Sequence, residues 1–97
     1  MQKYGYIRVS SKDQNPERQI RALQECQILQ KNMYLDKMSG KDFERPAYRK
    51  MLRRLRSGDI LVIKSIDRLG RDYGEILEQW RLITKEKGAF IRVIDMP

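Results

Sequence analysis

The sequence predicts an α/β domain: a three-layer, doubly wound, mainly parallel sheet with helices on both faces. Three observations carry that expectation. Apolar runs of strand length alternate with helix-periodic stretches in the order βαβαβαβ. One run, Ile60-Leu61-Val62-Ile63, is continuous, as a strand covered on both faces requires. Proline and glycine stand where helices should begin and end.

Each element has its own reason. Lys3 to Val9 runs into an apolar stretch and reads as the first strand. Asn15-Pro16 offers an N-cap followed by proline at the first helical position, and Ile20, Leu23 and Cys26 or Gln27 supply the apolar stripe. No glycine terminates this helix, which leaves its end near Gln27 to Gln30 loosely specified. Met33-Tyr34-Leu35 is a short strand, and the polar, glycine-containing stretch from Met38 to Glu44 reads as a mobile loop. A second helix starts at Pro46, with Ala47, Met51, Leu52 and Leu55 at helical spacing and Gly58 in the C′ slot. Asp59 opens the central strand. The third helix begins near Asp72, with Tyr73, Ile76, Leu77, Trp80 and Ile83 on one face and Gly88 closing it. Ala89 to Ile94 forms the last strand.

Composition narrows the chemistry. Ninety-seven residues suit one domain, and no stretch is apolar and long enough to span a bilayer. No secretory signal precedes the first strand, and the lone Cys26 fits a reducing cytoplasm. With no histidine and one cysteine, zinc sites and histidine-based triads are excluded. The net charge is +8, and 12 of the 21 basic residues are arginine. Solubility alone is served equally by lysine, so the arginine excess points to bidentate contact with phosphates.

Ligands of open parallel sheets bind beyond the carboxyl ends of the strands. Ser10 follows the first strand there, and Lys64 to Arg71 follows the strand ending at Ile63, so two distant loops open onto one rim. Alternation puts Tyr6, Arg8 and Ser10 on one side of their strand. A helical turn over 67–72 would set Arg68 and Arg71 on a shared face. Arg45 occupies the slot before Pro46 where a helix prefers a capping side chain, which suggests reach toward a phosphate. Gln14 and Gln19 flank the first helix start, where they donate to a phosphate or face water. Plainer roles stay open: Ser10 as a helix cap, Arg8 in an ion pair with Asp67, and Arg68 and Arg71 as a solvated face. No glycine-rich phosphate loop follows the first strand, which disfavours dinucleotide and P-loop readings.

The segments Tyr6-Ile7-Arg8-Val9-Ser10-Ser11, Asp13-Gln14, Gln19, Ser39-Gly40, Arg45-Pro46 and Ile66-Asp67-Arg68-Leu69-Gly70-Arg71-Asp72 resemble, in order and spacing, the catalytic domain of the serine recombinases, the resolvase/invertase family. The resemblance implies a flavodoxin-like, resolvase-type sheet. It implies Ser10 as the nucleophile that leaves a 5′-phosphoserine link to DNA and a free 3′-hydroxyl. Arg8, Arg45, Arg68 and Arg71 match the phosphate-binding arginines, with Asp67 orienting them or moving a proton. Tyr6, Gln14, Gln19 and Ser39 are then substrate-binding candidates. Neither metal nor nucleotide cofactor is implied. The implied partners are double-stranded DNA and further copies of the protein, as a dimer and a synaptic tetramer, in a bacterial-type cytoplasm and without a membrane. Such domains continue into a long assembly helix and a DNA-binding domain. Neither follows within residues 1–97, so the expectation is a catalytic domain alone. The rival class is a non-catalytic nucleic-acid-binding α/β module, in which the arginines touch only DNA backbone. A flavin- or nucleotide-binding domain of flavodoxin type is the third reading.

Overall fold

A computed structural model describes residues 1–10, 16–38 and 44–96. Four strands form one all-parallel sheet: β1 (Lys3–Ser10), β2 (Met33–Met38), β3 (Ile60–Ile63) and β4 (Phe90–Val93), in the order β2-β1-β3-β4. Three helices cross over between them, α1 (Glu17–Glu25), α2 (Pro46–Arg54) and α3 (Tyr73–Arg81). The sheet is therefore covered on both faces, as the continuous Ile60–Ile63 run required.

Side-chain alternation along β1 divides the core. Tyr4 and Tyr6 pack with Tyr48 and Met51 from α2, with Leu55 just after it, and with Leu61, Ile63, Leu69 and Ile83. Ile7 and Val9 pack on the other face with Leu23 of α1, Ile28 and Val62. Burying such side chains contributes roughly 1.5–3 kcal/mol each before the cost of ordering the chain. Register then sets the rim. Tyr6 pairs with Ile63, the last residue of β3, so Arg8 and Ser10 project past β3 toward the segment that follows it. Strand order reverses between β1 and β3, which makes this edge the switch point of the sheet.

Several local expectations change. Helix α1 begins at Glu17 with Pro16 in the cap position, and Asn15 lies outside the described residues. Its end is well defined without glycine: Gln27 takes φ 64°, Gln27 N–H bonds Gln24 O at 2.9 Å, and Ile28 N–H bonds Leu23 O at 3.1 Å. This is the Schellman pattern, with glutamine accepting the left-handed strain. Gly58 is not the C′ residue of α2, which leaves helical geometry at Leu55. Gly58 (φ 86°) instead makes the turn in which Asp59 N–H bonds Arg56 O at 3.0 Å. Tyr73 does not join the buried face of α3 but is 78% exposed. Ile76, Trp80 and Ile83 do share a buried face at helical spacing, and a π-turn at Leu82–Glu86 follows α3.

Candidate active site

The rim is built from β1, α1, the start of α2 and the segment after β3. Ser10 is the last residue of β1 and is exposed. Two residues earlier, Arg8 is half-buried and its Nη2 donates to the main-chain carbonyl of Asp67 at 2.8 Å. The loop that receives it is a 3-10 turn, Ile66–Leu69, pinned by the fully buried Leu69. Within this turn, Ser65 Oγ donates to Asp67 Oδ1, and Arg68 Nη1 lies 3.3 Å from the same oxygen.

Gln19 ties α1 to both neighbours. It is buried; its Oε1 accepts from Arg68 Nε at 3.2 Å, and its Nε2 sits 3.5 Å from the Arg8 carbonyl. Arg45 arrives from the third direction. Its backbone is left-handed (φ 49°, ψ 61°), its side chain is buried, and its guanidinium carbon stacks 3.9 Å from the Tyr48 ring centroid. Arg45 Nη1 reaches the Arg68 carbonyl at 3.4 Å. Residues 8, 45 and 68 are thus linked through one turn.

Arg71 sits differently. The 3-10 turn stops at Leu69 and Gly70 is extended, so the shared helical face expected for Arg68 and Arg71 does not form. Arg71 is exposed, and its N–H donates to Glu75 Oε1 at 2.7 Å. Close approach explains Gly70: a Cβ there would stand 2.8 Å from Glu75 Cβ and from the Ile76 nitrogen. Gln14 and Ser39 lie outside the described residues.

Tyr6 lies beneath the site rather than on its surface. It is 1% exposed and donates its hydroxyl to Asp36 Oδ2 at 2.9 Å. Asp36 went unnoticed in the sequence and is the pivot of this layer. Its two oxygens accept from the N–H groups of Ala47 at 2.9 Å and Tyr48 at 3.0 Å. A carboxylate on β2 therefore caps α2, whose own cap residue, Arg45, makes no side-chain cap bond. The one signal in the sequence is the Arg-Pro helix start, which leaves N–H groups to be satisfied from elsewhere without saying by which residue.

Electrostatics follow from this packing. The Arg8 guanidinium is pushed below its ordinary value, first by burial; Tyr6 and Asp67 oppose that, whereas Arg68 and Arg45 add to it. A cationic cluster of this kind is relieved by an anion. Burial is the leading cause that raises Tyr6 and Tyr48 far above the ordinary tyrosine value; Asp36 adds to it at Tyr6, and Arg45 opposes it at both. Above about pH 10 the unfolded chain loses phenolic protons that the folded chain keeps. Stability from these groups is complete below about pH 10 and falls beyond it, by about 1.4 kcal/mol per pH unit for each tyrosine. Urea unfolding across that range checks this, and Tyr48→Phe should flatten the slope.

Sheet and rim together define an α/β domain with a cationic cluster at its topological switch point. The chain belongs to the resolvase family: residues 3–97 match the family described as the resolvase N-terminal domain. It is 40% identical over 89 residues to the transposon Tn501 resolvase of Pseudomonas aeruginosa, covering 92% of this chain and 44% of that protein. It is 37% identical over 93 residues to the transposon Tn21 resolvase of Escherichia coli (96% and 47%). Against the transposon Tn3 resolvase of Escherichia coli it is 33% identical over 98 residues (98% and 51%). The chain spans about half the length of these relatives. No helix among the described residues is long and apolar enough to cross a membrane.

Proposed function

We propose that this domain is the catalytic part of a site-specific DNA recombinase, which cuts and rejoins duplex DNA by serine transesterification. The observation that carries the reading is the convergence of Arg8, Arg45 and Arg68, from three separate segments, on the rim where β1 ends in Ser10. The names of its relatives, among them a site-specific recombinase from Escherichia coli at 33% identity, support it.

In the proposed step the scissile phosphate docks among the guanidinium forks, which hold its non-bridging oxygens and offset the charge that grows there. Ser10 Oγ attacks phosphorus and forms a P–O bond as the bond to the 3′ oxygen breaks. The serine proton is released and the 3′ oxygen takes one up, leaving a 5′-phosphoserine and a 3′-hydroxyl. Bond energy is kept in the ester, so the reverse attack by a 3′-hydroxyl rejoins DNA without a nucleotide cofactor. Asp67 orients Arg68, Gln19 fixes Arg68 against β1, and Arg71 closes the phosphate site from the exposed side. Gln14 and Ser39 serve as further phosphate-contacting groups. DNA duplex is the substrate, and the active assembly is a dimer that pairs into a synaptic tetramer.

The test joins these 97 residues to the remaining half of the transposon Tn501 resolvase and traps the product on a nicked suicide substrate. Peptide mass spectrometry should find the 5′-nucleotide mass on Ser10. An adduct on another residue, or none with tightly bound DNA, would favour the non-catalytic module.

A further inference from the structure

Arg45 reaches the rim on a support that is tied to α3. Its guanidinium lies over the Tyr48 ring, 3.9 Å from the centroid. Stacking of this kind restrains the plane of the fork without consuming its N–H donors. The placement of Arg45 therefore depends on what holds the ring. Tyr48 is 2% exposed and is bonded at both ends: its N–H donates to Asp36 Oδ2 at 3.0 Å, and its hydroxyl donates to Gln79 Oε1 at 2.7 Å. The Tyr6 ring packs against it, 4.9 Å between centroids and tilted by 58°. The first bond caps α2; the second ties the ring to another helix.

Packing does not make that second bond redundant. A cleft of about 200 Å³ opens between α2 and α3, lined by Arg45, Tyr48, Leu52, Glu75 and Gln79. The ring has room on this side. Deprived of its acceptor, the phenol turns toward the cleft to find another partner, and the guanidinium stacked on it follows. The hydroxyl also keeps its proton, and so stays a donor. Burial above all raises the Tyr48 phenol; Arg45 opposes that, and Glu75 adds to it. Glu75 stands one turn before Gln79 on α3 and accepts from the Arg71 N–H at 2.7 Å.

We infer that Gln79 is a positioning residue for the phosphate site: it fixes the Tyr48 ring through the hydroxyl, and the ring fixes the plane of the Arg45 guanidinium at the rim. With Glu75 on the Arg71 N–H, α3 sets both Arg45 and Arg71 from outside the rim. This role rests on the rim taking the phosphate, as proposed above.

The test compares Gln79→Leu, Gln79→Glu and Tyr48→Phe in nitrogen-15 NMR spectra of the 97-residue chain. The ring face should shift the Arg45 Nε–H signal in the parent protein and in Gln79→Glu, which keeps an acceptor. In the other two variants that signal should move toward the values of exposed arginines. Tungstate affinity at the rim, read from Arg8 and Arg68, should fall about tenfold in Gln79→Leu and in Tyr48→Phe, as loss of one charged hydrogen bond does. Combining the two should cost no more than either alone, and Gln79→Leu should cost nothing further once Arg45 is alanine. Tyr48→Phe removes the same bond, so it decides the matter if Gln79→Leu fails to fold. An unmoved Arg45 signal in these variants would overturn the inference, as would equal weakening of tungstate with and without the Arg45 side chain. A parent protein that bound no tungstate at the rim would count against the phosphate-site reading instead, and the Arg45 signal would still decide what Gln79 holds.

Discussion

Replacing Ser10 with alanine is expected to abolish covalent capture of DNA while leaving DNA affinity within about twofold. The asymmetry follows from what the side chain contributes. Ser10 is exposed at the end of β1 and carries none of the core, so its loss leaves the fold and the cationic rim in place. Removing a nucleophile costs on the order of 10⁶ in rate in well-studied enzymes, here enough to take the adduct below detection. Arg68→Ala should behave otherwise, weakening both capture and binding and lowering the salt slope by about one. Gel detection of the adduct on suicide substrates, alongside binding isotherms at two salt concentrations, separates the two patterns. If Ser10→Ala and wild type gave equal adduct, the chemistry would lie elsewhere.

The largest loss of stability should come from Asp36→Ala. That carboxylate is 4% exposed and accepts three hydrogen bonds, from the N–H groups of Ala47 and Tyr48 and from the Tyr6 hydroxyl. Alanine removes the cap of α2, worth roughly 1–2 kcal/mol, and strands a buried phenol, worth roughly another 1–3 kcal/mol. A total of about 3 kcal/mol is a large share of a small domain's stability and lowers Tm by about 12–24 °C. Asp36→Asn keeps one acceptor and should fall between. Activity should suffer in either variant even below its Tm, because Arg45 immediately precedes the capped turn and its left-handed backbone has to be held there. Thermal unfolding followed by circular dichroism measures the first effect, and adduct yield at low temperature the second.

How far the molecule could be read from its residues differs by element. The central strand was legible because four consecutive apolar residues leave little alternative, and parallel topology then placed Arg8 and the turn 66–69 on one rim. The approach of Arg45 was legible too, through its failure as a cap. What stayed hidden depends on contacts between segments far apart in sequence. Asp36 lies just past the Met33-Tyr34-Leu35 run, and nothing local marks it as the cap of a helix ten residues on. Asp59 likewise reads as a strand opener until its oxygens are seen holding Gln2 and Arg56. Arg68 and Arg71 do not share a face because the turn stops at Leu69 and Gly70 is extended, a break that spacing alone does not reveal. Tyr73 has the right phase for the buried face, but it is the first residue of α3 and stands in solvent.

The claim beneath the chemistry is spatial, and a crystal structure of the domain soaked with tungstate tests it most directly. The tetrahedral oxyanion should lie within hydrogen-bond distance of the Arg8, Arg45 and Arg68 side chains, with Ser10 Oγ facing the metal centre. Tungstate bound away from these arginines, or bound by them with the serine oxygen turned from it, would contradict the account.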